Sequence, residues 1–420
     1  MRRPWPVGNG STKVVGNQNY RSIRAMKRRD FVLKTGMAAS AIGATTSVNA
    51  ALTYNKSLES SINIGVIGTG DRGSGLISVM NKIPDLNVVA CCDVLPFRLE
   101  KGIANSGGKA QGYSDYRKLL EHKNLDAVLL ATPFSTHSQI GIDILDADKH
   151  LYAEKTLAKG YKGITAFLEK ATASNKIIQT GHQYHSSRLY THIVKLIREG
   201  KVGKITAIEC QWNRNGNWRR PVPDPSLERA INWRMYKEYS GGLVAELCSH
   251  QIDFTNWVLQ ATPDKVMGIG GIDYWKDGRE TFDNIHLIYN YPEGVKATFT
   301  CLTSNAKDDY QIKVMGDKGT IILDYVKAWF YPEGDYKKEI TEVDGVAGAT
   351  VRWDEGKGIP LNVEHADPSK QALIDFKDSV LNNSIPVSSV VTGARAAICV
   401  QMGLDAMHED RIVYWDKKEK

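Results

Sequence analysis

The run Ile62 to Ile67 is apolar and rich in β-branched residues, a pattern that predicts a buried parallel strand. It breaks into Gly68-Thr-Gly70-Asp-Arg-Gly73, after which Leu76, Ile77 and Met80 recur at helical spacing. Strand and helix signals then alternate: Asn87 to Cys92, a helix from about Pro96, Asp126 to Ala131, His150 to Ala153. From Lys204 the pattern changes to strands in alternation: Ile205 to Trp212, Val266 to Ile272, Ile285 to Tyr291, Val295 to Leu302, Tyr310 to Met315 and Thr320 to Tyr325. Tyr291-Pro-Glu-Gly294 and Gly316-Asp-Lys-Gly319 read as hairpin turns between them. Helical spacing returns over Pro368 to Leu381 and Gly393 to Met407.

The pattern predicts an α/β unit followed by an α+β unit. The first, 60–180, is expected to be a doubly wound parallel sheet of the dinucleotide-binding Rossmann kind. The second, 181–385, is expected to be an open mixed or antiparallel sheet with helices on one face, followed by a terminal helix and tail over 386–420.

The chain begins with a stretch that joins neither unit. Residues 1–25 are polar and basic without periodic apolar positions, and read as a disordered or upstream extension with Met26 as the expected start. Lys27-Arg28-Arg29-Asp30-Phe31-Val32-Leu33-Lys34, the mild apolar run Gly36 to Val48 and the small residues around Ala50 resemble a twin-arginine signal peptide over 26–50. This implies export to the periplasm or beyond. The apolar run is too short for a membrane span.

This changes the charge argument. The whole chain carries a net +7, but its first fifty residues hold nine Lys/Arg and one Asp, leaving 45 basic and 46 acidic side chains. The basicity therefore belongs to the leader, and nothing points to a nucleic-acid partner. Six cysteines without paired metal-ligand spacing read as buried thiols.

The candidate chemistry starts at the glycine turn. Gly68 permits the tight turn, Gly70 lets a pyrophosphate approach the backbone, and Gly73 lets the helix pack on the strand. Asp71 and Arg72 flank the phosphate position. Asp93 ends the second strand, where a carboxylate receives ribose hydroxyls and repels a 2′-phosphate. NAD is therefore expected over NADP, with Arg98 nearby keeping NADP open. Thr132, Pro133 and His137 follow the next strand over the same crevice, and Glu154-Lys155 ends the one after.

The order of glycine turn, Ala-Thr132-Pro133 with His137, and Glu154-Lys155 resembles the glucose-fructose oxidoreductase / inositol dehydrogenase (Gfo/Idh/MocA) family. In that family a Rossmann domain precedes an open sheet. The resemblance implies that Glu154 and Lys155 lie near the nicotinamide and the substrate hydroxyl, where a lysine can steady a developing alkoxide. The family's Glu-Lys-Pro is Glu-Lys-Thr156 here. The family also implies an Asp-x-x-x-His pair on a later helix. Here Glu246 replaces the Asp and His250 matches the His, and three- and four-residue spacing predicts Glu246, His250 and Asp253 on one helix face. Lys155, His250 and Glu246 are the catalytic candidates. His182, His185, Glu246 and His250 pose a metal alternative, but lack a zinc-motif context, so no metal is expected. Tyr184, Trp233, Arg234 and His250 are the substrate candidates, the last three near a Trp- and Arg-rich segment from Trp212 to Tyr239 suited to stacking on sugar rings.

These features point to an NAD(P)-dependent oxidoreductase acting on a sugar, polyol or sugar derivative. Export would require the cofactor to be held tightly and recycled. A glycosidase that oxidises and re-reduces its substrate is the alternative, and a catalytically idle carbohydrate-binding protein is the third reading. The resemblance also implies a homo-oligomer paired through the open sheet face.

Overall fold

The computed structural model describes residues 61–335, 337–340, 351–354, 356–364 and 366–415, so the segments read above as an extension (1–25) and a signal (26–50) lie outside the described residues. The first unit is built from β1 (Ile62–Ile67), α1 (Asp71–Met80), β2 (Leu86–Cys92), α2 (Pro96–Asn105), β3 (Gln111–Tyr113), α3 (Tyr116–Leu120), β4 (Ala127–Leu130), α4 (His137–Asp146), β5 (His150–Ala153), α5 (Tyr161–Ala173) and β6 (Ile178–Thr180). Its six strands pair in parallel in the order β3-β2-β1-β4-β5-β6. The order reverses between β1 and β4, which opens a crevice at their carboxyl ends. β4 is buried at every position and β1 at all but Asn63, because helices cover both faces of the sheet.

The second unit holds α6 (Arg188–Arg198), β7 (Ile205–Asn215), α7 (Ser249–Leu259), β8 (Lys265–Gly271), β9 (Asn284–Asn290), β10 (Lys296–Leu302), β11 (Ser304–Gly316), β12 (Gly319–Leu323), β13 (Ala328–Pro332), β14 (Lys337–Ile340), β15 (Val351–Asp354), β16 (Ile359–Pro360), α8 (Pro368–Asn382), α9 (Val390–His408) and β17 (Val413–Tyr414). Nine of its strands form one open sheet in the order β16-β13-β12-β11-β7-β10-β9-β8-β17, while β14 and β15 pair apart. The sheet is mixed, since β7 and β10 run parallel while its other neighbours are antiparallel. Both expected turns join antiparallel neighbours, β9 to β10 and β11 to β12. One face packs under α6, α7 and α9, and the other leaves Met267, Ile269 and Ile288 at 46%, 74% and 45% exposure.

One grouping differs from the expected 181–385 unit. Helix α8 docks on the first sheet: Ala372, Leu373 and Phe376 are buried among Ile62, Ile64, Leu76 and Tyr152. Its apolar stripe is visible in the sequence, but a stripe does not say which sheet it will cover. Asp367 caps its start by accepting from the Ser369 amide, and Asn383 ends it in the left-handed region at φ 48°.

Candidate active site

A crevice of about 680 Å³ opens at the β1–β4 reversal, lined by Gly68, Gly70, Asp71, Arg72, Asp93, Thr132 and Pro133 among others. Gly68 turns at φ 91°, and a Cβ there would stand 2.7 Å from the Ala131 carbonyl group. A Cβ on Gly73 would stand 1.9 Å from the Gly68 carbonyl oxygen, so α1 can begin against the turn only with glycine here. Gly70 caps α1 without a side-chain bond, leaving the first-turn amides free of side-chain acceptors at the mouth of the crevice. Asp93 is largely buried, and accepts from the Thr69 amide and the Leu95 amide, both at 2.9 Å. It therefore braces the glycine turn while lining the crevice. The residue that caps α2 is Leu95. Arg98 reaches over Gly70, whose Cβ position lies 3.8 Å from its guanidinium. The crevice therefore fits a dinucleotide: bare backbone for a pyrophosphate and a carboxylate for ribose hydroxyls.

A second cavity of about 490 Å³ adjoins the first, sharing Asp71, Arg72, Thr132, Trp233 and Arg234 with it and adding Glu154, Lys155, Tyr184, Trp212, Glu246 and His250. Glu154 holds Arg72 Nε at 2.7 Å, and the start of α8 holds the same guanidinium, which donates to the Ser369 hydroxyl at 3.2 Å. Glu154 and Lys155 thus face the second cavity and not the crevice.

Lys155 donates to the Glu246 carbonyl oxygen at 2.7 Å and lies 3.7 Å from its carboxylate, which also accepts from Arg234 Nε at 2.9 Å. Burial pushes the Lys155 ammonium below the usual lysine range, against the pull of Glu246 and Glu154. Glu246 keeps its carboxyl below the usual range despite burial, because Lys155 and Arg234 stand beside it. His250 is pushed well below the usual histidine range by burial, with Lys155, His182 and Arg72 adding to the effect, and is neutral near pH 7. Its Nδ1 is buried without a partner, and its ring meets Tyr184 edge-on at 5.2 Å.

The segment before α7 departs from the expected regular helix. Val244–Cys248 forms one π-helical turn that runs directly into α7. The Glu246 carbonyl takes Lys155, and the Ala245 carbonyl takes the Thr156 hydroxyl at 3.1 Å together with the Ser249 hydroxyl at 2.8 Å. The end of β5 is thereby tied to the turn that carries Glu246. Asp253 leaves the expected face: it lies away from the cavity wall, 2.7 Å from His185 Nε2, whose ring stacks on Trp257 at 4.3 Å. His182 instead meets His250 at 5.7 Å, so the four residues of the metal alternative do not converge. Among the described residues no group of three such side chains could hold a metal ion.

His137 also departs from expectation. It is completely buried, with Nδ1 3.1 Å from the Thr156 carbonyl oxygen and Nε2 2.9 Å from that of Thr132, and it does not reach either cavity. Its ring ties the Thr132 loop to the end of β5 and touches no ligand space. Of the substrate candidates, Tyr184, Trp233, Arg234 and His250 all line the second cavity. Sequence reasoning missed Arg214 in the same wall. The signal was the alternation of β7, which buries Ile208, Cys210 and Trp212 on one face and carries that face on to residue 214.

Comparison with known proteins agrees with this architecture. Residues 62–182 match the NAD-binding Rossmann fold of the oxidoreductase family, and 190–322 match the GFO/IDH/MocA C-terminal domain. Myo-inositol 2-dehydrogenase from Thermotoga maritima is 25% identical over 275 residues, 63% of this chain and 76% of that protein. A glycosyl hydrolase family 109 protein of Shewanella woodyi is 23% identical over 168 residues, 38% of this chain and 36% of that one. Levoglucosan dehydrogenase, solved in complex with NADH, has the same fold, with a TM-score of 0.69 at 16% identity over 85% of this chain and 100% of that one. With an NAD-binding Rossmann half and the matching C-terminal half on one chain, the protein belongs to the Gfo/Idh/MocA family of oxidoreductases.

Proposed function

We propose that the protein oxidises a hydroxyl-bearing carbon of a sugar, polyol or sugar derivative, with Lys155 and His250 handling the hydroxyl proton. The observation that carries this reading is that the dinucleotide crevice and the Lys155–His250 cavity share one wall. NAD, when bound, supplies the acceptor for the hydride. The protein's own residues do the rest. His250, neutral and buried, offers an unpartnered Nδ1. Lys155 has three N–H donors, of which one goes to the Glu246 carbonyl and one faces its carboxylate, leaving the third for the substrate oxygen. Glu246 favours the charged form of the lysine inside a buried wall, and Trp218 and Trp233 line the cavity as aromatic contacts for a sugar ring.

Lys155→Met and His250→Ala should each lower turnover by about two to four orders of magnitude while NAD remains bound. Near wild-type activity in either variant would remove that residue from the chemistry.

A second reading, supported by the likeness to a family 109 glycosyl hydrolase, is a glycosidase that retains its nucleotide and restores the substrate's oxidation level. Release of an aglycone from a glycoside panel would favour it, and paired oxidised and reduced sugars would favour the first. A retained nucleotide also suits export through the twin-arginine signal read over 26–50. The apolar outer face around Ile269 suits pairing between copies of the chain.

A further inference from the structure

We propose that the substrate carries a carboxylate and that Arg214 binds it, so that the physiological ligand is a sugar acid such as a uronate or uronide. This rests on the sugar-oxidoreductase reading above. The wall of the second cavity carries five cationic side chains against three carboxylates. Four of the cations are paired: Arg72 with Glu154 at 2.7 Å, Arg220 with Asp71 at 3.1 Å, and Arg234 and Lys155 with Glu246 at 2.9 and 3.7 Å. Arg214 has no carboxylate within 4.0 Å among the described residues. Its guanidinium instead lies 5.3 Å from the Trp212 ring centre and 5.8 Å from that of Trp218, beside the Tyr325 hydroxyl.

The position of this charge tells which ligand it serves. Arg72, Arg220 and Arg234 line both cavities, and Arg98 and Arg229 line the dinucleotide crevice, whereas Arg214 lines the second cavity alone. It is therefore placed for the substrate and not for a pyrophosphate. A guanidinium is a rigid planar fork that matches a carboxylate through two parallel bonds, and contact with two indoles limits the freedom it would lose on binding. The same wall holds a second donor without an acceptor, the buried Trp212 Nε1. With a neutral sugar, Arg214 would keep only water and the Tyr325 hydroxyl, which Asp309 also holds at 3.5 Å. A carboxylate on the ring would neutralise the Arg214 charge.

The test is calorimetric titration of the NAD-loaded protein with matched pairs of methyl glycosides and methyl glycosiduronates of glucose, galactose and mannose. In at least one pair the uronide should bind about tenfold or more tightly, as expected for a charge-assisted hydrogen bond in a partly buried site. Raising the salt should narrow the preference. Arg214→Gln should abolish the preference, so that the two members of the pair bind alike. Arg214→Lys, which keeps the charge but loses the fork, should retain part of it and serves if the glutamine variant fails to fold. Equal or tighter binding of the neutral member in every pair overturns the carboxylate proposal and leaves the sugar reading standing. Binding of neither member of any pair overturns both. An unchanged uronide preference in Arg214→Gln overturns the assignment to this residue.

Discussion

Replacing Glu246 by glutamine removes one charge and almost no volume, and the structure says what that charge holds. Its carboxylate stands 2.9 Å from Arg234 Nε and 3.7 Å from Lys155 Nζ, with the Glu246 and Lys155 side chains only 8% and 14% exposed. At an effective dielectric of about 20, the Lys155 pair alone carries roughly 4–5 kcal/mol of gross attraction. The Arg234 side chain is 36% exposed, so water takes over much of its share, and the loss there is small. Removing one partner of a buried ion pair costs about 3–5 kcal/mol, because the other charge is left uncompensated.

Urea denaturation at pH 7 should therefore show Glu246→Gln less stable by about 3 kcal/mol or more. The loss has a pH signature. Without the carboxylate, the folded-state pKa of Lys155 falls further below its unfolded value. The folded variant then binds fewer protons than the unfolded chain over that window, so its stability rises with pH and the deficit narrows towards about pH 10. The alkaline limb of the kcat/KM profile should move to lower pH for the same reason. A deficit under about 1 kcal/mol with an unmoved alkaline limb would refute the coupling of Glu246 to Lys155.

Three further outcomes follow from the same geometry. Thr156→Val removes a hydroxyl donor to the Ala245 carbonyl, but that oxygen keeps Ser249, so the cost should be only about 1 kcal/mol, with Thr156→Ser restoring it; a loss above about 3 kcal/mol would mean that the π-helical turn depends on this bond alone. His137, His182 and His250 are fully or almost fully buried and all pushed below the usual histidine range. The unfolded chain takes up their protons first, so stability should fall as pH drops below about 6.5, by up to roughly 1.4 kcal/mol per histidine per pH unit; a flat denaturation profile from pH 7 to 5.5 would contradict it. Gly73→Ala places a Cβ 1.9 Å from the Gly68 carbonyl oxygen, so it should weaken or abolish nucleotide binding, read as nucleotide released on denaturation; unchanged nucleotide content would show that the turn can give way.

The parallel half was legible because its strands are buried on both faces and its turns are marked by glycines that no other residue could replace. Ile62–Ile67, Gly68 and Gly73 each carry a signal that depends only on local chemistry. The second sheet was legible as alternating strands, though not in its one parallel pair, since alternation tells which face a residue takes and not which neighbour it pairs with.

The candidate site was legible where chemistry falls at a strand end, as at Asp93 and Lys155, and at His250 from its spacing on a helix. It was not legible at His137, where an imidazole after a strand reads equally as ligand contact or internal tie, and full burial between the Thr132 and Thr156 carbonyl oxygens made it the tie. Nor was the π-helical turn at Val244–Cys248 legible, because it depends on carbonyl partners ninety residues away, Lys155 and Thr156. Helix α8 shows the same limit, as its support of Arg72 through Ser369 spans 297 residues of chain.

The central claim is that the crevice and the Lys155–His250 cavity form one oxidising site. The most direct test begins with the sugar that raises the melting temperature of the NAD-loaded protein most, prepared with deuterium on each hydroxyl-bearing carbon. After incubation the protein is denatured and the nucleotide recovered for mass spectrometry. One site predicts deuterium on the nicotinamide, less of it in Lys155→Met, and less again in the Lys155→Met/His250→Ala double variant. A sugar that binds and stabilises the protein yet transfers no deuterium in the wild type would contradict the account and leave a binding protein in place of an enzyme of sugars.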